Sequence, residues 1–212
     1  MGIYLFKRDV LINELEADAQ AVSDHDFGKN VIPQMLRNNR NIFVHSFVDE
    51  NNQPKYWRDI GTRDAYYQAN MDLVRPQPEF NLYDRQWPVR TYHEQYPPIK
   101  VMSFAQEGKI INSGAIVDSV VAGGCVIKAA EVIRSVLSPN VYIEHNAAVS
   151  DSIMMEGVMV GPYAKIKNAI IDKEVVIPAH SQIGYDLESD RKRFAVTTSG
   201  IVIVAKKASV KD

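Results

Sequence analysis

Aliphatic residues recur in pairs six apart through the second half of the chain: Ile110/Ile116, Ile127/Ile133, Ile143/Val149, Val160/Ile166 and Ile177/Ile183. The first members of successive pairs lie 17, 16, 17 and 17 positions apart. A third phase keeps step in Asp118-Ser-Val-Val121, Arg134-Ser-Val-Leu137, Asp151-Ser-Ile-Met154 and Asn168-Ala-Ile-Ile171. A period of this length with internal sixes predicts stacked coils with three short sides, each side sending one aliphatic side chain into a shared column. A helical reading fails, because a 3.6-residue period does not survive these segments. Small residues (Ala115, Gly123, Gly124, Ala129, Ala147, Gly157, Gly161, Ala164, Gly184) are expected at the corners. The array predicts a domain of about five coils over 109–185.

The first 75 residues read differently. Gly2–Phe6 reads as a core strand, and Asn41–Val48 alternates as another. Asp9 is expected to cap a helix carrying Val10, Leu11 and Leu15, and Asp26 a segment over 31–36 with Pro33 in its first turn. Thr62 is expected to cap a helix whose Tyr66, Ala69, Asn70 and Leu73 share one face. Helices alternating with strands point to part of an α/β domain. A chain opening on a core strand suggests a piece of something longer. Residues 76–108 carry Pro76, Pro78, Pro88, Pro97 and Pro98, which forbid a long helix. Their aromatic content (Phe80, Tyr83, Trp87, Tyr92, Tyr96) predicts an extended segment pinned along the coils. Beyond the array, 186–212 reads as a tail, with a charged run to Phe194 and a strand over 200–204.

Composition narrows the function classes. A formal net charge of −2 over 212 residues gives no overall field toward nucleic acid or membrane. No apolar run reaches membrane-spanning length, and no signal-peptide pattern precedes the first element. The single cysteine, Cys125, reads as a small buried residue and excludes an internal disulfide, which suits a reducing, cytoplasmic setting.

Three constellations carry chemistry. In Tyr56-Trp-Arg-Asp59 an aromatic, a cation and a carboxylate meet at an expected strand end ahead of a helix. A carboxylate there suits a hard divalent cation held against phosphates; a helix cap or surface acid fits the pattern as well. His25-Asp-Phe-Gly28 reads as a site loop or a structural turn, and His45 as an edge histidine. Lys165, Lys167 and Lys173 make a basic group on one coil, and His145 and His180 lie within the array.

Five ordered stretches, Met1-Gly-Ile-Tyr-Leu-Phe, His25-Asp-Phe-Gly-Lys29, Tyr56-Trp-Arg-Asp-Ile-Gly-Thr62, Ala69-Asn-Met-Asp-Leu73 and Tyr83-Asp-Arg-Gln-Trp-Pro-Val-Arg-Thr-Tyr92, precede the hexapeptide array. Together they resemble the second half of bacterial glucose-1-phosphate adenylyltransferase. The resemblance implies a partial Rossmann-like nucleotidyltransferase domain over 1–75, a connecting segment over 76–108, a left-handed parallel β-helix over 109–185 and a tail packed on it. It implies ADP-glucose synthesis from ATP and glucose 1-phosphate, in glycogen formation, with Mg²⁺ as the metal. Asp59 carries over as the metal ligand, and Gly2, Tyr4 and Trp57 as part of the glucose-1-phosphate pocket. Lys173 matches an arginine that contacts the inhibitor AMP, and Lys206 a basic residue that binds the activator fructose 1,6-bisphosphate; the next arginine of that site falls on Val210, beside Lys211. The family's glycine-rich ATP loop and second metal carboxylate have no counterpart in these residues, so the chain alone is expected to be inactive. A homotetramer is expected. The alternatives are a non-catalytic oligomerisation or regulatory piece, and a hexapeptide acyltransferase using a histidine such as His145 as general base. The acyltransferase reading expects a long loop leaving a coil beside that histidine, and the sequence reads as uninterrupted coils.

Overall fold

The computed structural model describes residues 2–86, 88–92, 94–106, 109–206, 208 and 210. The chain divides between Trp57 and Arg58 into two compact units.

The first unit is helical. Helix α1 (Arg8–Ala19) begins at Lys7 without a side-chain cap, so Asp9 sits inside the first turn rather than at the cap, where it still complements the helix dipole. Its buried Glu14 accepts a hydrogen bond from Arg40 at 2.8 Å. Asp26 is a cap, but of an earlier turn than expected: it accepts from the Lys29 amide at 2.8 Å and opens a π-helical turn over Phe27–Val31. Helix α2 (Ile32–Arg37) follows with Pro33 in its first turn, where no amide hydrogen is missed. Neither expected strand forms. Gly2–Phe6 and most of Asn41–Val48 lack regular structure, and the sole ladder contact nearby is a bridge between Val48 and Pro54. Alternation makes a strand only where another strand offers its backbone, and none lies beside these segments among the described residues. Leu5, Phe43 and Val44 are accordingly almost fully exposed. His45 is exposed as well.

The second unit is a parallel β-helix of the left-handed hexapeptide type, built as three uninterrupted coils between two interrupted ones. The first coil holds β1 (Lys100–Met102), β4 (Ala115–Val117) and β5 (Val120–Val121), with an antiparallel hairpin, β2 (Phe104–Gln106) and β3 (Lys109–Asn112), inserted between its first two sides. The uninterrupted coils are β6 (Val126–Lys128), β7 (Glu131–Ile133) and β8 (Val136–Leu137); β9 (Tyr142–Ile143), β10 (Ala148–Ser150) and β11 (Ile153–Met154); and β12 (Met159–Val160), β13 (Lys165–Lys167) and β14 (Ala169–Ile171). The last coil, β15 (Val176–Ile177), β16 (Gln182–Ile183) and β18 (Val202–Val204), is interrupted by helix α4 (Leu187–Arg193) and β17 (Ala195–Val196), which pairs antiparallel with β18. Three sheets result, in the orders β1-β6-β9-β12-β15, β4-β7-β10-β13-β16 and β5-β8-β11-β14-β18-β17.

The registers confirm the aliphatic columns and correct two members. Ile127, Ile143, Val160 and Ile177 align, but Val101 begins that column. Ile110 instead lies in the inserted hairpin, so the β-helix starts ahead of residue 109. The second column is Ile116, Val132, Val149, Ile166 and Ile183, with Val132 fully buried in place of Ile133. Two adjacent aliphatics at 132 and 133 left the phase ambiguous in the sequence. The third column, Val121, Leu137, Met154 and Ile171, is as read, and Val204 completes it.

The corners are less glycine-rich than expected. Left-handed backbone recurs at Asp118, Arg134, Asp151 and Asn168, at Gly124, Asn140, Gly157 and Glu174, and at Ala129, Asn146, Tyr163 and His180. Ala147 and Ala164 are small because they are buried inside the bend. Gly161 is small because a Cβ would sit 2.6 Å from the Ala179 nitrogen. The serines after the first corner form a ladder. Ser119, Ser135 and Ser152 each donate to the carbonyl two residues back, and each accepts the amide of the coil below, from Ser135, Ser152 and Ala169. This satisfies polar groups inside a dry column.

Helix α3 (Arg63–Leu73) belongs to this second unit. Thr62 caps it, accepting from the Ala65 amide at 3.1 Å. The buried face centres on Tyr67 rather than on Ala69 and Leu73. Tyr67, flanked by Tyr66 and Met71, packs on Ile153, Ile170, Ile201 and Ile203, the outward row of the third sheet. The end of the proline-rich segment is pinned. Tyr96 donates to Glu156 at 2.8 Å and lies within hydrogen-bond distance of Glu94, and Pro97 accepts from the Gly124 amide at 2.7 Å. Tyr83 and Tyr92 are exposed, and Trp87 lies outside the described residues.

Candidate functional site

The expected site residues fall in both units. In the first, Tyr4 stacks on Phe27 with ring centres 5.5 Å apart, and Gly2 has open space around its Cα. Trp57 stands edge-on to Phe47 at 6.4 Å, beside a turn in which Asp49 accepts from the amides of Asn51 and Gln53. Tyr4 and Trp57 are each about half exposed, leaving ring surface for a ligand. The Nδ1 of His25 lies 2.8 Å from an Asp18 oxygen, and Ser23 Oγ accepts its amide. Bonds from His25 and Ser23 hold the Asp18 carboxyl below the usual carboxylate range.

Asp59 lies in the second unit, in an irregular stretch ahead of the Thr62 cap rather than at a strand end. It is exposed, and its Oδ1 accepts the Gly61 amide at 3.0 Å. That bond holds the carboxylate's orientation. A divalent cation of the Mg²⁺ type takes six oxygens, mostly water and phosphate, with one or two carboxylates. Asp59 fits such a shared site as a single ligand. Among the described residues no cluster of three or more His, Cys, Asp or Glu side chains stands ready to hold a metal.

Sequence reasoning missed what holds this stretch. Arg58, next to Asp59, donates through Nε to Asp72 of α3 at 2.8 Å, with its Nη2 2.6 Å from the same oxygen. Arg75 approaches the other Asp72 oxygen at 3.1 Å, and Asp72 itself is buried. At the opposite end of α3, Asp64 accepts from Thr197 Oγ1 at 2.9 Å and from Ser199 Oγ, which holds its pKa below the usual value. The acidic residue inside Ala69-Asn-Met-Asp-Leu73 was the one available signal.

Lys173 and Lys206 come together at one corner. Asp172 Oδ1 accepts the Lys173 amide at 2.7 Å, and Oδ2 accepts the Lys206 amide at 3.0 Å. Lys206 Nζ lies 3.0 Å from Glu174. Lys165 and Lys167 share the coil but occupy the second sheet, where Lys167 sits over the Tyr185 ring at 4.6 Å. Lys173 therefore stands apart from Lys165 and Lys167, which share one outward face. Lys211 lies outside the described residues.

The coils are not uninterrupted, contrary to expectation. The hairpin β2–β3 leaves the first coil, and its Phe104 stacks flat on His145, with centres 4.3 Å apart and 7° between planes. Tyr163 meets the His145 ring edge-on at 5.5 Å, and His180 stacks on Tyr163 at 5.0 Å. The Nδ1 of His145 faces Glu144 at 3.3 Å, and Glu144 is also held by Lys128 and Tyr142. Phe104 covers one face of the partly buried His145 ring. Cys125 is buried and free as expected, and burial pushes its thiol pKa up.

Residues 97–204 match the family described as GlmU-like, C-terminal hexapeptide, and residues 1–75 match the family described as Nucleotidyl transferase. The chain is 47% identical to a protein of Koribacter versatilis named glucose-1-phosphate adenylyltransferase, over 99% of this chain and 50% of the relative. Proteins of the same name from an Anaeromyxobacter strain and Rhodopirellula baltica are 45% and 47% identical, over 99% and 97% of this chain and 52% and 46% of their own lengths. The chain spans about half the length of the curated relatives it matches.

Proposed function

The chain belongs to the GlmU-like C-terminal hexapeptide family through residues 97–204, and on that premise we propose that it is the β-helix-bearing portion of a glucose-1-phosphate adenylyltransferase acting in glycogen formation. The observation that carries this reading is near end-to-end identity of 45–47% to proteins of that name, across both the nucleotidyl transferase segment and the solenoid.

The reaction joins the phosphate oxygen of glucose 1-phosphate to the α-phosphorus of ATP. The bond from that phosphorus to the oxygen bridging to the β-phosphorus breaks, and pyrophosphate carries away the electron pair. The attacking oxygen is already anionic, so positioning and charge neutralisation dominate. Mg²⁺, when bound, offsets the phosphate charge. Asp59 contributes one oxygen to it, with its orientation set by the Gly61 amide. Gly2, Tyr4 and Trp57 line the sugar-phosphate side. Lys173 and Lys206 bind phosphorylated effectors of the AMP and fructose 1,6-bisphosphate class, together with Lys211. In domain terms, 1–75 completes the catalytic domain, a connecting segment follows, and the solenoid runs from β1 to β18 with α4 and β17 inserted in its last coil. No helix in the described residues is long and apolar enough to cross a membrane. Together with the cytoplasmic chemistry of sugar-nucleotide synthesis, the proposal places the protein in the cytoplasm.

Self-association into a tetramer is part of the proposal. Val126, Tyr142, Met159 and Val176 occupy one outward register of the first sheet, with Met159 and Val176 about half exposed. Such a row on a flat parallel sheet suits burial against another copy. Light scattering at micromolar concentration checks this, and a monomer alone would remove it.

The functional test is reconstitution. The 212-residue chain is mixed or fused with the first half of the Koribacter relative and supplied with ATP, glucose 1-phosphate and Mg²⁺. ADP-glucose should form from the pair and not from this chain by itself. A folded pair without product overturns the assignment, and product from the isolated chain overturns its predicted inactivity.

A further inference from the structure

The reading of Asp59 as a metal ligand leaves open what holds an exposed carboxylate in an irregular stretch. We propose that Arg58 and Asp64 are positioning residues for Asp59, acting through α3 as a bracket fixed to the solenoid and to the C-terminal turn.

Three sets of contacts build the bracket. Arg58 reaches the buried Asp72 near the C-terminal end of α3 with two guanidinium nitrogens on one oxygen, at 2.8 and 2.6 Å. A charge-assisted bond to a buried acid resists rotation of the backbone that carries it. The peptide between Arg58 and Thr62 is thereby fixed at both ends, by Asp72 on one side and by the helix cap on the other. Asp59 and Gly61 close a small turn within that span. The middle of α3 is fixed by Tyr67, which donates to the Asp151 carbonyl at 2.7 Å and packs among Ile153, Ile170 and Ile201. The N-terminal turn of α3 is fixed by Asp64, which gathers the hydroxyls of Thr197 and Ser199. Thr197 Oγ1 also accepts the Ile201 amide, so the clasp is continuous with strand β18.

The turn held by Asp64 leads into β18, which runs to Val204, two residues before Lys206.

The inference rests on the proposed role of Asp59, and the test separates the two. Hydrogen–deuterium exchange is measured on the 212-residue chain and on Arg58→Met, Arg58→Lys and Asp64→Asn. The Gly61 amide reports Asp59 directly, because Asp59 is its acceptor. Exchange at Gly61 should rise about tenfold in Arg58→Met and in Asp64→Asn, and less in Arg58→Lys, which keeps the charge but loses the fork. Protection in the three uninterrupted coils should stay unchanged. Unaltered exchange at Gly61, or equal loss across the coils, overturns the bracket. In the reconstituted enzyme, Arg58→Met should raise the half-saturating Mg²⁺ concentration about tenfold. A bracket seen by exchange with no change in Mg²⁺ dependence overturns the positioning role. An inactive unsubstituted pair removes the enzymatic reading instead and leaves the exchange result standing.

Discussion

Tyr67 of α3 donates its hydroxyl to the backbone carbonyl of Asp151, 84 positions away, at 2.7 Å. One phenol thus ties the helix following the Tyr56-Trp-Arg-Asp59 motif to a corner of the solenoid. Tyr67→Phe should lower stability by about 1 kcal/mol, since it leaves a carbonyl without its partner but keeps the ring. Tyr67→Ala should cost about 3–5 kcal/mol by emptying the cluster with Ile153 and Ile170. Chemical denaturation resolves both values.

The same residue sets an alkaline limit. Burial first, then the Asp151 charge, pushes its pKa from the ordinary 10 up to about 12. The unfolded chain therefore releases this proton before the folded one. The stabilisation is complete below pH 10 and is lost as pH rises toward 12. Denaturation midpoints across that window should fall, and Tyr67→Phe should remove this component of the fall.

The serine ladder predicts a buried polar penalty. Ser152→Ala should cost about 1–3 kcal/mol, because the buried Ala169 amide loses its acceptor, while the Ser150 carbonyl keeps the Asn168 amide. Ser119→Ala, at the exposed end, should cost less. Thermal unfolding of the two variants should rank them in that order.

Two corner glycines should differ sharply on substitution by alanine. Gly157 has φ of 71°, and an added Cβ would meet Glu174 at ordinary contact distance, so the expected cost is about 1–2 kcal/mol of backbone strain alone. Gly184 also has positive φ, but there a Cβ would run into the carbonyl oxygen of Lys167. Gly184→Ala should fail to give a cooperatively folded last coil, as read by circular dichroism melting.

Effector binding follows from the Asp172 corner. Lys206 is held by Glu174, so Glu174→Gln should free its charge and tighten binding of a sugar bisphosphate several-fold, as about 1 kcal/mol of competing ion pair disappears. Isothermal titration with fructose 1,6-bisphosphate on the reconstituted enzyme checks this, and Lys206→Ala should act in the opposite direction.

The interior of the solenoid was legible because its columns repeat, and repetition survives single ambiguities. Thr62 and Asp26 were legible as caps because capping is local. The first coil was not. Val101 and Ile127 are neighbours separated by an inserted hairpin, and no periodic signal crosses an insertion. Gly2–Phe6 and Asn41–Val48 carry strand-like alternation, yet pairing is a property of two segments and cannot be read from one. For the candidate site, the sequence singled out Asp59 but not its supports. The Arg58–Asp72 and Asp64–Thr197 contacts depend on how a helix packs, not on spacing.

The placement of Val204 beneath Ile171 has a consequence for biosynthesis. The third wall of the prism skips from residue 171 to residue 202, so its floor is laid only after α4 and the returning strand exist. A nascent chain halted at Ile183 would expose the underside of Ile171 and leave Ile201 missing from the seat of α3. Synthesis of residues 184–204 therefore closes the prism and completes the seat of the helix together.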